Sequence, residues 1–315
     1  MSQIHLTSSR AWSVIDLLNA TREFLISKKF QNPRTNAELL LGHALGLSRI
    51  ELYLKHDRPV SEEERNELRE LLKRRLRHEP PQYIVGATEF YGIRLRVAPG
   101  VAIPRPETEI VAEKAIEVAK KKIAELGDVG EFRVLDIGTG TGNLALALAA
   151  HIPQSAVEAT DINEKALDLA LQNAARAGLA DRVHPHFWDV FSDRIPSHLH
   201  PPYSLIVSNP PYIAESEFDS LQPEIKDFEP RAAFLGGPDG LRFYRRFAEL
   251  SDRLLEQNGA LVVEIGETQA EPVRKLWERS FSQIQVFQDL SGADRVIVAD
   301  ELRSSGEQAK LISRP

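Results

Sequence analysis

A short apolar segment runs directly into a turn rich in glycine, and this junction limits the possible folds more than any other feature. The apolar segment is Val134–Ile137, which includes Asp136. The turn consists of Gly138, Thr139, Gly140, Thr141 and Gly142. Glycine permits positive φ and lets a ligand approach the backbone closely. We therefore predict a strand, a tight turn and a helix that together form part of a nucleotide-type binding site.

Strand and helix patterns alternate from Phe132 onward. The strand candidates are Arg133–Ile137, Ala156–Asp161, Val183–Phe187, Tyr203–Ser208, Ala260–Ile265, Gln283–Asp289 and Arg295–Ala299. Helical patterns separate most of these segments, which favours a doubly wound, mostly parallel sheet in an α/β domain. A short connection containing Gly292 joins the last two strands, so we expect them to form an antiparallel hairpin.

The preceding part of the chain reads as a small helical bundle. Its apolar residues recur at helical spacing, and three capping-box patterns start at Thr35, Ser48 and Ser61. Gly46 is a candidate helix stop, and the helix from Ser61 is expected to end near His78. We predict four segments: a helical domain (1–80), a hairpin linker (81–106), the α/β domain (107–302) and a polar tail (303–315).

Charge and composition narrow the possible partners. The chain has 315 residues and a net charge of −7, with +4 in residues 1–100 and −11 in the remainder. An acidic α/β half disfavours tight binding to duplex DNA, so no stable nucleic-acid partner is expected. The chain has no cysteine, and its nine histidines show no metal-ligand spacing, so no metal is expected. No signal peptide or membrane segment is recognisable, and we predict a cytoplasmic protein.

Two acidic residues extend the candidate cofactor site. Asp161 ends the second strand, 19 residues after Gly142, where an acid can bind the ribose hydroxyls of a nucleoside. A dinucleotide enzyme is the rival interpretation, but its pyrophosphate fingerprint spaces the glycines differently. The Asp-x-Gly-x-Gly-x-Gly pattern is typical of enzymes that use S-adenosylmethionine, which carries no phosphate. Asp189 follows the third strand and is the candidate for binding the adenine amine.

The fourth strand ends in the sequence Asn209-Pro210-Pro211-Tyr212, at the sheet edge where such folds bind ligands. A primary amide nitrogen has two N–H groups and a delocalised lone pair, so it needs two acceptors to hold it. The Asn209 side-chain oxygen and the Pro210 carbonyl can supply both. Pro211 keeps the backbone extended, and the Tyr212 ring can pack on a planar group. The segment therefore indicates methylation of an NH₂ group on a planar amide or base, with Asn209 also beside the cofactor.

Further motifs resemble one family along nearly the whole chain. They are Glu79-Pro80, Tyr83-Ile84, Glu89–Gly92, Ile103–Glu109, Glu229–Arg231, Gly236–Leu241, Glu264–Gln269 and Asp289–Arg295. On these motifs the chain is similar to the release-factor glutamine methyltransferases. The resemblance implies an N-terminal helical substrate-recognition domain, followed along the chain by a hairpin linker and a class I methyltransferase domain. It also implies transfer of a methyl group from S-adenosylmethionine to the glutamine of the Gly-Gly-Gln motif in class I peptide release factors.

Several alternatives stay open at this point. A ribosomal-protein glutamine methyltransferase, an adenine N6-methyltransferase of nucleic acid and a non-catalytic binding module could each carry these motifs. The family position after Asp189 is often aromatic, whereas this chain has Val190, which we include among the candidate cofactor residues. Arg105 either shapes the pocket or pairs with Glu107 or Glu109 on the surface. Glu264 ends a strand, where it could cap the next turn.

Overall fold

The computed structural model describes residues 12–127 and 130–303. By compactness the chain divides into two units, Met1–Gly86 and Ala87–Pro315. The segment 81–106 is thus shared between the units, since its first six residues belong to the first. The division of the chain into four functional segments, made from the sequence, stays a prediction. Of the predicted polar tail, only Arg303 lies within the described residues.

The first unit is built from helices. They are α1 (Val14–Ser27), α2 (Pro33–Leu45), α3 (Arg49–Leu54), α4 (Glu62–Arg75) and α5 (Pro81–Val85). Leucines on their inner faces form one apolar core. The capping boxes predicted at Ser48 and Ser61 are present, and Gly46 ends α2 in the left-handed conformation. The box predicted at Thr35 is wrong, because α2 already begins at Pro33, which fits the first helical turn.

The second unit contains a two-stranded hairpin and a seven-stranded sheet. The hairpin strands are β1 (Ala87–Phe90) and β2 (Ile93–Arg96). The sheet strands are β3 (Phe132–Ile137), β4 (Ser155–Asp161), β5 (Val183–Phe187), β6 (Tyr203–Ser208), β7 (Leu255–Glu264), β8 (Phe281–Gln288) and β9 (Asp294–Leu302). The helices are α6 (Glu109–Leu126), α7 (Asn143–His151), α8 (Glu164–Ala177), α9 (Pro223–Phe228), α10 (Arg242–Leu254) and α11 (Ala270–Trp277).

The sheet has the order β5-β4-β3-β6-β7-β9-β8, in which β9 runs antiparallel to both of its neighbours. The predicted doubly wound sheet with an antiparallel last hairpin is therefore confirmed. Strand β7 begins at Leu255, five residues before its predicted start, because the polar pair Asn258-Gly259 resembles a loop in sequence. Apolar side chains pack on both faces of the sheet, which buries β6 completely.

Parallel strands bring their carboxyl ends to one edge of the sheet, and this edge contains every candidate site residue. Ile137 is paired with Thr160 on β4, and Asp161 is paired with Phe187 on β5. On the other side, the register between β3 and β6 pairs Asp136 with Val207. The turn after Ile137 and the segment after Ser208 are therefore adjacent.

Candidate functional site

The glycine turn after β3 is held by backbone hydrogen bonds. The amides of Gly138 and Thr139 both donate to the carbonyl of Thr160, at 2.8 and 2.9 Å. Gly138 and Gly140 have φ of 75° and 55°, and the space that a Cβ would fill is open at both. Glycine tolerates this conformation without strain, and the open space allows a ligand to lie against the backbone.

Gly142 serves a different purpose in the same turn. It begins α7 with φ of 84°, and an added Cβ would lie 3.2 Å from the Cβ of Ala170 on α8. The close packing of two helices therefore requires glycine here. The side chain of Asn173, also on α8, donates to the carbonyl of Thr141 at 2.9 Å and bonds both backbone groups of Arg96. Asn173 thereby fixes the turn against β2.

Asp161 lies at the end of β4 with both carboxylate oxygens beside the turn. One oxygen accepts from the Gly140 amide and the other from the Asn163 amide, each at 2.9 Å. Burial raises the pKa of Asp161, and these backbone donors oppose that effect. Each carboxylate oxygen can accept a second hydrogen bond. The geometry therefore suits the vicinal hydroxyls of a ribose.

A second carboxylate, that of Asp136, lies beneath the turn. Its Oδ2 accepts from the Thr139 hydroxyl at 2.6 Å and from the Ala145 amide at 3.2 Å. Its Oδ1 and the hydroxyl of Thr141 are buried and have no hydrogen-bond partner in the part of the chain that the structure describes. Buried polar atoms are normally paired, so these two atoms favour a polar ligand at the turn. Burial raises the pKa of Asp136 to about 7, and the nearby Asp161 adds to the effect.

The loop after β5 contains the remaining cofactor candidates. Asp189 is partly buried, and its side chain accepts from the amide of Phe191 at 2.9 Å, which organises the loop. Val190 is 6% exposed and belongs to the apolar core on one face of the sheet. Its carbonyl accepts from Arg246 at 2.8 Å. The structure thus places Asp189 at the same sheet edge as the glycine turn, and it places the Val190 side chain in the core.

The Asn209–Tyr212 segment leaves β6 next to the glycine turn. The hydroxyl of Ser208 donates to the carbonyl of Ile137 at 2.6 Å, which joins the ends of β6 and β3. The Asn209 side-chain nitrogen donates to the hydroxyl of Thr108 at 2.9 Å. Within residues 12–127 and 130–303, no group donates to Asn209 Oδ1 or to the Pro210 carbonyl. Two hydrogen-bond acceptors at this edge of the sheet are therefore not engaged by any group of the described residues.

A second turn, which contains Gly236 and Gly240, packs against the carbonyl groups of Pro211 and Tyr212. A Cβ on Gly236 would lie 2.8 Å from the carbonyl oxygen of Pro211, and one on Gly240 would lie 2.4 Å from that of Tyr212. Gln269 also donates to the Tyr212 carbonyl, at 2.9 Å. The backbone of the Asn209–Tyr212 segment is thus enclosed where it turns away from the sheet.

The buried carboxylate of Glu264 lies at the end of β7, next to the Asn209–Tyr212 segment. Its Oε2 accepts from the Thr108 hydroxyl at 2.6 Å, and its Oε1 accepts from the Tyr212 hydroxyl at 3.1 Å. Burial raises its pKa to about 7, while Thr108, Arg295 and Tyr212 oppose the rise. Burial and the charge of Glu264 also raise the pKa of Tyr212, which stays a neutral donor. Glu264 thus organises the site through its side chain.

Comparison with known proteins identifies the family. Residues 16–86 match the PrmC N-terminal domain, and residues 111–225 match the methyltransferase small domain. The release factor glutamine methyltransferase of Chlorobaculum tepidum is 40% identical over 290 residues, which cover 92% of this chain and 98% of that protein. That of Geobacter sulfurreducens is 40% identical over 288 residues, covering 91% and 96%. The chain belongs to the release factor glutamine methyltransferase family.

Family membership confirms the predicted family, the enzyme class and S-adenosylmethionine as the methyl donor. A solved release-factor-specific glutamine methyltransferase from Alicyclobacillus acidocaldarius is 31% identical, with a TM-score of 0.37, over 62% of this chain and 92% of that one. The described residues of this methyltransferase contain no helix with the length and apolarity needed to cross a bilayer. In the same residues, no three His, Asp or Glu side chains are grouped to hold a metal ion.

Two sequence interpretations need correction for this methyltransferase. Arg105 pairs with Glu229, and not with Glu107 or Glu109. Glu229 also accepts from the Ile103 amide at 2.8 Å, so it fixes the segment that precedes Thr108. The side chain of Glu264 does not cap the next turn: it accepts from Thr108 and Tyr212, and the Gly266 amide of that turn donates to Gln269 Oε1 at 2.9 Å.

Thr108 and Glu229 were missed as functional candidates. Thr108 lies about 100 positions from Asn209, and no spacing rule connects residues so far apart in the chain. The only sequence signal for either residue was its place inside a family-like motif.

Proposed function

We propose that this methyltransferase transfers a methyl group from S-adenosylmethionine to the side-chain nitrogen of the glutamine in the Gly-Gly-Gln motif of class I peptide release factors. One observation carries the proposal: Asn209 Oδ1 and the Pro210 carbonyl are two unengaged acceptors on consecutive residues. A primary amide offers two N–H donors, so both acceptors would be satisfied by the same nitrogen. The names of the relatives supply the protein substrate.

The chain's residues would act chiefly by orientation. Bound S-adenosylmethionine supplies a methyl group on a sulfonium, which is already activated for transfer. Asn209 and Pro210 would fix the attacking nitrogen, and their oxygens would stabilise the positive charge that develops on it. Asp161 would hold the ribose and Asp189 the adenine, while Gly138–Gly142 would form the floor of the cofactor site. Tyr212 and Pro211 would border the amide.

Charge supports a protein substrate over a nucleic acid. Residues 101–315, which contain the whole site, carry a net charge of −11. A nucleic-acid substrate would have to approach this acidic half against electrostatic repulsion. A release factor bound through a polar interface meets no such general barrier. The cytoplasmic location stays a prediction.

Mass spectrometry tests the proposal directly. Purified protein is incubated with S-adenosylmethionine and an unmethylated class I release factor, and the peptides are then analysed. We expect one added methyl group on the Gly-Gly-Gln glutamine. In Asn209→Ala the rate should fall on the order of 100-fold or more, as when one oriented group is removed from a catalytic site. Asn258→Ala, at an exposed position on β7 near the amino end of the parallel strands and opposite the edge that contains the site, is the matched control and should retain the wild-type rate.

Other outcomes point to the alternatives. Methylation of a ribosomal protein but not of a release factor would favour a ribosomal-protein glutamine methyltransferase. Transfer to unmethylated DNA or RNA, weakening steeply with salt, would favour the adenine methyltransferase. If Asn209→Ala kept the wild-type rate, the amide-binding role of the segment would be refuted even though the substrate was correct.

A further inference from the structure

We propose that Thr108 and Glu264 are positioning residues that set which end of the Asn209 amide faces the substrate. The inference rests on the proposed function and extends it to two buried residues that are linked to Asn209 by hydrogen bonds. Two hydrogen bonds link three side chains in series. Asn209 donates to Thr108 at 2.9 Å, and Thr108 donates to Glu264 at 2.6 Å. We call these three residues the amide relay.

The direction of each hydrogen bond follows from the proton inventory. When Glu264 is ionised its carboxylate can only accept, so the single proton of the Thr108 hydroxyl then goes to Glu264. The Thr108 oxygen is then left as an acceptor, and of the two ends of the Asn209 amide only the nitrogen can donate to it. Consequently Asn209 Oδ1 faces the opposite way, where an incoming NH₂ group needs an acceptor.

Removing this constraint would leave the amide free to turn over. An asparagine amide is nearly symmetric in shape, so packing alone hardly distinguishes its oxygen from its nitrogen. With Nδ2 toward the substrate, a donor would face the two N–H donors of the glutamine and repel them. Thr108 is fully buried and Glu264 is 2% exposed, so water cannot readily replace either partner.

Protonation of Glu264 can reverse the relay. A protonated Oε2 would donate to Thr108, whose own proton could then go to Asn209 Oδ1 and turn the amide over. The groups around Glu264 are the cation Arg295, the carboxylate Glu107 and the hydroxyls of Tyr212 and Tyr244, besides Thr108. Burial, with a contribution from Glu107, raises the pKa of Glu264 to about 7, so this change falls within the physiological range.

A matched pair of substitutions tests the hydroxyl. Thr108→Val keeps the shape and removes the acceptor, whereas Thr108→Ser keeps the acceptor and removes one methyl group. We expect kcat for methyl transfer to fall at least 10-fold in Thr108→Val, and the KM for S-adenosylmethionine to stay within about twofold, because the lost hydrogen bond belongs to the amide side. Thr108→Ser should restore most of kcat. Equal kcat values for the two variants, with both folded, would overturn the proposal.

The pH dependence tests the carboxylate without relying on Thr108 variants. Between pH 8 and pH 6 the wild-type kcat should fall about 10-fold, as expected for one required ionised group with a pKa near 7. Glu264→Gln cannot ionise, so its kcat should show no such fall, whatever its plateau. An acid limb that persists unchanged in Glu264→Gln would assign the titration to another group and contradict the relay.

A spectroscopic measurement separates failure of the relay from failure of the proposed function. In protein labelled with ¹⁵N-asparagine, the Asn209 NH₂ signal, assigned by its loss in Asn209→Ala, should shift with pH near 7 in wild type and not in Glu264→Gln. This experiment needs no substrate, so it stands even if no release factor is methylated. A signal that does not move between pH 6 and pH 8 would refute the relay while leaving the proposed function intact.

Discussion

The two halves of the carboxyl edge are built by different means. The cofactor half, made of Asp136, Gly138–Gly142 and Asp161, is held mainly by backbone amides that donate to neighbouring strand ends. The amide half consists of Thr108, Asn209–Tyr212 and Glu264. It is held mainly by hydrogen bonds between side chains that are far apart in the sequence. Each half contains one buried carboxylate whose pKa is raised to about 7.

This difference follows from what each half would bind. A nucleoside lies along a backbone cradle, which requires glycines and few specific side chains. A small amide has to be recognised by the arrangement of a few donors and acceptors, and these must be fixed by further hydrogen bonds. We therefore expect substitutions in the cofactor half to act chiefly on cofactor affinity, and those in the amide half to act on turnover.

The largest effect on stability is expected from the glycine turn that supports the amide half. Gly240 has φ of 74°, and a Cβ there would lie 2.4 Å from the Tyr212 carbonyl oxygen. In Gly240→Ala the left-handed backbone costs about 1–2 kcal/mol, and overpacking adds roughly 1–3 kcal/mol. Denaturant unfolding should therefore show a loss of about 2–5 kcal/mol.

Gly292→Ala is the matched control for this substitution. Gly292 also has positive φ, of 86°, but a Cβ added there would meet no atom of the described residues within 4 Å beyond its chain neighbours. Only the backbone term applies, and the loss should be about 1–2 kcal/mol. Equal losses in the two variants would show that the Tyr212 backbone moves aside easily, and the amide half would then be less rigid than the contacts indicate.

The same contrast explains what could be predicted from the sequence. Gly138–Gly142 and Asp161 were recognisable because a strand, a turn and the next strand keep fixed distances along the chain. Asn209–Tyr212 was recognisable as an unusual strand end. The alternation of strands and helices likewise predicted the sheet and its antiparallel last hairpin, which the structure confirms.

Long-range partners could not be predicted in this way. Thr108 meets Glu264 across 156 positions, and Arg105 meets Glu229 across 124. No periodicity or spacing relates such residues, since only the folded sheet brings them to one edge. For Arg105 the sequence therefore left two alternatives open, a role in the pocket or a pair with Glu107 or Glu109, and it pointed neither to Glu229 nor to Thr108 as part of the site.

An intermediate effect is expected from Asp161, which tests whether the halves act separately. Asp161→Asn keeps the shape but removes a charged acceptor, a loss of about 1.5–3 kcal/mol for one hydrogen bond. The KM for S-adenosylmethionine should rise roughly 10- to 100-fold, while kcat at saturating cofactor should stay near that of wild type. Steady-state kinetics with varied cofactor concentration measures both values.

The double variant Asp161→Asn with Thr108→Val sharpens this test. If the halves are independent, the two free-energy changes should add to within about 0.5 kcal/mol. A larger coupling energy would show that cofactor binding and amide orientation are linked through the joined ends of β3 and β6, where Ser208 meets Ile137.

The smallest expected effect is the pH dependence of the free energy of unfolding that the two buried carboxylates, Asp136 and Glu264, should cause. The folded pKa of Glu264 is about 7, above its ordinary value of 4.5, so the folded chain keeps a proton that the unfolded chain releases. This relative stabilisation is fully present below pH 4.5 and is lost as the pH rises to about 7. Between about pH 6 and pH 7.5, the free energy of unfolding of wild type should fall by on the order of 1 kcal/mol relative to Glu264→Gln.

Asp136→Asn provides the corresponding measurement in the cofactor half, because the pKa of Asp136 is also raised to about 7. Glu158→Gln is the control of opposite sign: burial raises the pKa of Glu158, but hydrogen bonds from Tyr203 and His200 lower it below its ordinary value. Wild type should therefore lose stability relative to Glu158→Gln on acidification, and not on alkalinisation. If only Glu264→Gln changed the pH dependence of unfolding, Asp136 would titrate normally, and the likeness between the two halves would end at burial.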